Sequence, residues 1–317
     1  MNVTQALHSI FDKAIGSGDY DDAIRAKAAG GCMGEELFFE PAIENLQRAD
    51  DLFLPIHERT DGVDGWVSLE VLQLLAHDTQ RAAKALHARA DRRSLFIKIP
   101  GTPEGLSAIE EAIASGISVN VTLLFSADHY RAAADAYPRG VERRVQAGHD
   151  PAVGSVASMF MSRWDVAVKD TAPDGLTDTL ALAVGLDVYR AYREVTGSQR
   201  FQRLENADAR VQRLLWVGTR TKDPAASDTL YVHGPAAPFT VNTMPDDTLK
   251  AFFDHGGIGE TLPLDGGESE AAPARFASAG VDVKALAAKL QSEGANSFVA
   301  AWNDLMERID VQSKALA

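Results

Sequence analysis

A single cysteine, Cys32, stands in the whole chain. It excludes an internal disulfide framework and fits a reducing, cytoplasmic setting. Basic residues are in the minority: 31 Lys and Arg face 45 Asp and Glu, for a formal net charge of −14. No basic stripe offsets that balance, so no nucleic-acid partner is expected. An anionic substrate is not excluded, because one or two local basic side chains can hold a phosphate. Long apolar runs are lacking too. No stretch approaches the roughly 20 apolar residues that span a bilayer, so no membrane partner is expected. The opening MNVTQALHSIFDKAIG has neither the basic nor the apolar region of a secretory signal. What is present is enough for a large core: 317 residues, 45% hydrophobic and 24% charged. That length suits one large α/β barrel or two ordinary domains.

Short β-branched runs alternate with long helical patterns. Strands are expected at 66–71, 95–99, 117–123, 155–161 and 214–218, with a weak one near 239–241. Helices are expected at 35–48, 75–90, 103–115, 127–147, 176–196, 246–255 and 283–309. Alternation through a whole chain implies a parallel sheet covered by helices. A barrel and a doubly wound sheet both fit that pattern. No GxGxxG follows the first strand, which counts against dinucleotide binding. The Gly-rich, acidic stretch 263–273 (PLDGGESEAAP) reads as a loop between a barrel strand and the last helices, so residues 1–317 read as a single domain.

Polar residues at strand positions are the informative feature: Glu70, Lys98, Asn120, Thr122, Ser158 and Ser162. In a barrel the strand C-terminal ends carry the chemistry. Within Leu95-Phe96-Ile97-Lys98-Ile99, alternation turns Lys98 away from its aliphatic neighbours. A lysine buried there loses hydration, its pKa falls, and its free amine can attack a carbonyl. An edge-strand lysine reaching solvent fits the same pattern. Glu70 is either an acid and base for such an amine or a salt-bridge partner. Asn120 and Thr122 could orient a water and a substrate hydroxyl, or be satisfied strand polars. Arg163, Arg220 and Lys222 follow two strand ends, where they would suit a phosphate or stand as solvated loop charges.

Several of these segments carry a family resemblance. FIKIPGTPEGLSAIEEAIASGISVNVTLLFSADHY resembles the transaldolase block around the Schiff-base lysine. DGVDGWVSLEV resembles the strand bearing that family's glutamate, and SVASMFMSRWDVAVKD the strand with its serine, phenylalanine and arginine. LLWVGTRTKDPAASDTLYVHG and TVNTMPDDTLKAFFDHG are similar to the last two strand regions of the long bacterial transaldolases. The resemblance implies a (β/α)8 TIM-type barrel and a class I, Schiff-base enzyme with no metal and no cofactor. It implies Lys98 as the imine-forming lysine, Glu70 as the glutamate acting through a water, and Thr122 as a holder of that water. Asn120 and Ser158 would contact substrate, Phe160 would line the site, Arg163 would bind phosphate, and Lys222 would assist, with Arg220 a further candidate. The substrate would be a phosphorylated ketose or related carbonyl compound, and a homo-oligomer is compatible with the chain.

The N-terminal region departs from that pattern. The family's first strand and its catalytic aspartate have no counterpart here, so an incomplete or irregular barrel is expected at the N-terminal strand. Gln5-Ala6-Leu7-His8-Ser9-Ile10-Phe11 stands where the family has Ser-Asn-Pro-Thr-Ile-Phe, so its asparagine is missing as well. His8 becomes a candidate substitute acid or base, or a surface histidine. Imine chemistry is thus expected to be retained and aldol cleavage impaired. The competing readings are a misassigned or truncated start with a normal first strand upstream, a decayed paralogue, recruitment to a different iminium reaction in specialised biosynthesis, and a non-catalytic sugar-phosphate-binding barrel.

Overall fold

The structure is a computed structural model that describes residues 3–6, 20–32, 34–70, 79–172, 175–265, 267 and 271–316. Residues 1–99 with 294–317 make one compact unit, and residues 100–293 make another.

In the first unit, β1 (Val3–Ala6) runs parallel to β2 (Trp66–Glu70), and β2 parallel to β3 (Leu95–Pro100). Every residue of β2 and β3 is buried, as expected of a parallel sheet covered on both faces. The register pairs Ser68 with Phe96 and Glu70 with Lys98. By alternation Trp66, Ser68 and Glu70 therefore share one face with Phe96 and Lys98. At the N-terminal end of that face Trp66 stacks on Phe96 with centroids 4.1 Å apart. The helices α1 (Asp21–Ala29), α2 (Glu35–Arg59) and α3 (Thr79–Ala90) belong to this unit. Phe38 on α2 meets Trp302 edge to face at 5.1 Å.

The second unit repeats the strand–helix pattern. Its parallel strands are β4 (Val119–Leu124), β5 (Ser155–Phe160), β6 (Arg213–Val217) and β7 (Thr240–Asn242), each paired with the next. Its helices are α4 (Leu106–Ala114), α5 (Ala127–Gln146), α6 (Arg163–Val168), α7 (Leu180–Thr196), α8 (Gln199–Glu205), α9 (Leu230–His233), α10 (Asp246–His255) and α11 (Ala271–Ser278). Helix α12 (Val283–Leu316) begins here and continues into the first unit's residues. Ser126 caps α5 by accepting the His129 amide at 3.1 Å. Tyr137 on α5 ties the loops before β5 and β6 together through the carbonyls of Val153 (2.9 Å) and Arg210 (2.6 Å).

This is the α/β, incomplete TIM-type architecture expected. Among the described residues, neither the outer edge of β1 nor that of β7 has a strand partner. The expected strands stand with shifts of one or two residues at their ends. Helix α2 continues to Arg59, where the apolar period suggested an end at 48. The sequence there turns acidic and exposes Leu52, so periodicity fails. Tertiary contacts sustain the helix instead: Ser94 donates to buried Asp50 at 2.5 Å, and His57 packs edge-on against Trp66 at 4.6 Å. The stretch 263–273, expected as loop throughout, gives way to α11 at Ala271; its residues 266 and 268–270, like 71–78 of the expected helix 75–90, lie outside the described residues.

Gly65 makes the tight passage from α2 to β2. Its φ is +74°, and a Cβ there would lie 2.5 Å from the His57 amide nitrogen and 2.7 Å from the Phe53 carbonyl oxygen. Gly65→Ala is expected to cost on the order of 3 kcal/mol of folding stability. Gly31→Ala, at φ +90° but in open space, should cost only about 1 kcal/mol. Urea denaturation midpoints check the pair; equal losses would show that crowding at Gly65 is relieved by backbone movement.

Candidate active site

Lys98 sits on the fourth position of a strand whose every residue is buried, and it is 3% exposed. Burial lowers the pKa of its amine below the ordinary lysine value, and the nearby Glu70 carboxylate works in the opposite direction. Glu70 is the register partner of Lys98 on β2 and is itself 4% exposed. Paired positions of adjacent strands lie about 4.8 Å apart at the backbone. An amine and a carboxylate thus occupy adjoining places on one covered face, at the C-terminal end of their strands. Such an amine has a larger neutral fraction than a solvated one, which is what nucleophilic attack on a carbonyl requires.

The second unit assembles its own polar face. Asn120 and Thr122 on β4 and Ser158 on β5 are fully buried. Ser158 donates to Asn120 Oδ1 at 2.6 Å, so the two side chains hold one another. The Thr122 hydroxyl oxygen is buried with no hydrogen-bond partner among the described residues. Phe160, at the end of β5, stacks on Phe125 with centroids 5.2 Å apart. The Arg163 guanidinium lies 5.2 Å from the Phe160 centroid on its other neighbourly contact. Arg163 opens α6 rather than trailing in a loop. It is half-buried, and burial lowers its pKa while the charge of Glu293 opposes that shift. A partly desolvated guanidinium resting on an aromatic ring suits an anionic group such as phosphate.

Helix α6 is locked in place by Asp165. Its Oδ1 accepts the amides of Leu180 (2.9 Å) and Ala181 (3.3 Å), and its Oδ2 accepts the Tyr231 hydroxyl (2.8 Å). Burial raises the Asp165 pKa, and these three donors counter it, Tyr231 foremost. Arg220 and Lys222 stand apart from this arrangement. Both are exposed, and Arg220 lies 3.8 Å from Asp247. His8 lies outside the described residues. Sequence reasoning missed Phe125 and Asp165. Phe125 directly follows β4, where an aromatic before a Ser N-cap is a usable signal, whereas Asp165 reads like any first-turn acid.

Among the described residues no group of three or more His, Cys, Asp or Glu could hold a metal ion, and no helix is long and apolar enough to cross a membrane. The profile of the family Transaldolase/Fructose-6-phosphate aldolase matches residues 8–309. Among curated proteins, a transaldolase of Thermobifida fusca is 44% identical over 97% of this chain and 87% of its own length. One from Acidothermus cellulolyticus is 43% identical over 94% of this chain and 83% of its own. A Mycobacterium ulcerans transaldolase is 41% identical over 98% and 87%. The chain belongs to the transaldolase/fructose-6-phosphate aldolase family, and it is a transaldolase-like transferase or aldolase.

The depressed lysine has a stability signature. Between the folded pKa of Lys98 and the higher value of an unfolded lysine, the unfolded chain binds more protons. Stability contributed at this position therefore falls as pH drops through that window and levels off below it. Lys98→Met should raise Tm at neutral pH and flatten the alkaline rise in stability. Thermal melts of both proteins over the neutral-to-alkaline range check it. A Lys98→Met protein that melts lower at neutral pH would show the amine to be stably paired.

Proposed function

We propose that the chain forms a Schiff base between Lys98 and a phosphorylated ketose or a closely related carbonyl compound. The reading is carried by one observation: a buried amine with a depressed pKa whose strand neighbour is the buried carboxylate of Glu70. Neutral Nζ attacks the carbonyl carbon to give a carbinolamine. By the family resemblance Glu70 acts through a water and Thr122 is the residue that holds one, and Glu70 moves the protons that let water leave and the imine form. Cleavage of the adjacent carbon–carbon bond releases an aldose and leaves a three-carbon enamine on Lys98. The enamine adds to an acceptor aldehyde, and water then hydrolyses the new imine. Asn120 and Ser158 bind substrate hydroxyls, Phe160 lines the sugar chain, and Arg163 takes the phosphate. Arg220 and Lys222, both exposed, assist only at the outer phosphate oxygens. The setting is cytoplasmic, and the partner is the small-molecule substrate.

The cleavage step is the one we propose to be weakened. Leu7 and His8 stand where the family pattern has the asparagine that holds the three-carbon unit. That departure also favours a second reading, recruitment of the same imine chemistry to another carbonyl reaction. Trapping with borohydride and fructose 6-phosphate separates the outcomes by adduct mass. Slow cleavage leaves the whole ketose phosphate on the protein, whereas efficient transaldolase chemistry leaves a three-carbon adduct. No adduct with any ketose phosphate would sink the enzymatic reading and leave the sugar-phosphate-binding one.

Arg163→Ala tests phosphate recognition. Loss of a charge-assisted hydrogen bond is worth roughly 1.5–3 kcal/mol, so KM for fructose 6-phosphate should rise about 10-fold to 100-fold. The reaction of an unphosphorylated carbonyl such as dihydroxyacetone should change little. Equal losses with both compounds would assign Arg163 to folding rather than to phosphate.

A further inference from the structure

Strand β4 ends irregularly, and what holds the irregularity is a residue far along the chain. The register with β5 runs Val119↔Ser155, Asn120↔Val156, Val121↔Ala157, then skips to Leu124↔Met159. Three residues on β4 thus face two on β5, which is a β-bulge. Leu123 carries the distortion at φ +61°, in the left-handed region that a leucine adopts only when its surroundings over-determine it. Leu123 is fully buried, so its carbonyl has no recourse to solvent.

The surroundings that fix it are few. The Gly101 amide donates to the Thr122 carbonyl at 2.7 Å. Gly101 can lie that close only as glycine, since a Cβ would come within 2.4 Å of a Leu124 methyl and 3.0 Å of a Val121 methyl. The Gln291 side-chain amide, on α12, donates to the Leu123 carbonyl at 2.9 Å and to the Gly101 carbonyl at 3.2 Å. Gln291 is itself 8% exposed, so both of its N–H groups are spent on these two carbonyls in a dry setting. One step back from the bulge, Asn120 is fixed through its side chain by Ser158. Thr122 has no such side-chain anchor among the described residues. No side-chain hydrogen bond among those residues fixes its hydroxyl, so its place follows the backbone at 122 and 123 and the packing around it.

We propose that Gln291 is a positioning residue for Thr122: by clamping the Leu123 and Gly101 carbonyls it holds the bulge that sets where the Thr122 hydroxyl stands. The inference rests on the reading that Thr122 holds the water used in forming and hydrolysing the imine. Gln291 does not touch the reacting atoms. Its loss would displace the water-holding hydroxyl by up to about 1 Å, a misplacement large enough to slow the chemistry, while the residues that bind the substrate keep their own anchors. The expected signature is slower imine formation with an unchanged KM.

The test is a double-mutant cycle on the full chain, with the single-turnover rate of borohydride-trapped adduct from fructose 6-phosphate as readout. Gln291→Met keeps length and removes both donors. It should slow adduct formation by up to about 100-fold, with KM and final adduct yield unchanged. Thr122→Ala should slow it at least as much, and in the Thr122→Ala background Gln291→Met should add nothing. A slow Thr122→Ala with Gln291→Met at the unsubstituted rate overturns this proposal alone. Independent, multiplying losses in the double variant do the same. Thr122→Ala at the unsubstituted rate overturns the role of Thr122 and the proposal with it. No adduct from the unsubstituted chain, with fructose 6-phosphate or with dihydroxyacetone, overturns the imine reading on which both depend. Should Gln291→Met fail to fold, Gln291→Glu keeps the shape, replaces the amide donor, and enters the same cycle.

Discussion

Taking an amine out of water penalises its charged form, and a strand buried on both faces imposes that penalty at every position. On β3 the only position that bears it is Lys98. Its strand neighbour Glu70 offsets part of the cost with a carboxylate that is buried as well. The same two facts, a dry setting and one adjoining opposite charge, decide how readily the Lys98 amine gives up its proton. A fully solvated lysine would be protonated and inert at neutral pH. A lysine held in a tight, well-hydrogen-bonded ion pair would be protonated too. Burial that outweighs pairing is the condition under which such an amine would serve as a nucleophile.

The second unit solves a different problem, that of holding neutral and cationic groups still. Asn120 and Ser158 satisfy each other directly, so their placement is a local matter between neighbouring strands. Arg163 is held through its helix: Asp165 gathers two amides at the start of α7 and the Tyr231 hydroxyl, and the arginine rests on Phe160, which is backed by Phe125. Thr122 depends on neither device. Its place is a property of a strained backbone, and strain at Leu123 persists because Gly101 and Gln291 leave it no alternative. Rigid placement by packing and rigid placement by backbone are physically distinct, and they fail under different substitutions.

How much of this the sequence discloses follows from the range of each interaction. Lys98, Glu70, Asn120, Thr122 and Ser158 are legible because a polar residue inside a β-branched run conflicts with its neighbours, and the conflict is visible within five residues. Family motifs then attach roles to them. The parallel architecture is legible from alternation of strand and helix. Less legible are features whose causes lie elsewhere in the chain. Helix α2 outlasts its own apolar period because Asp50 and His57 find partners on other elements. Arg163 reads as a loop residue, yet Asp165 anchors a helical turn there. Gln291 is one polar residue on a helix of 34, and nothing near it signals that it reaches carbonyls 168 and 190 positions earlier. A bulge at Leu123 is equally silent, since leucine is the last residue from which a positive φ would be read.

The central claim, that burial makes Lys98 the reactive amine, is tested most directly by the pH dependence of its trapping. The full chain is reacted with fructose 6-phosphate and borohydride across the neutral-to-alkaline range, and the modified peptide is mapped. The account predicts modification at Lys98, with the initial trapping rate rising through a midpoint below that of an ordinary lysine. Adduct on another lysine with Lys98 unmodified, or a midpoint at the ordinary lysine value, would contradict it.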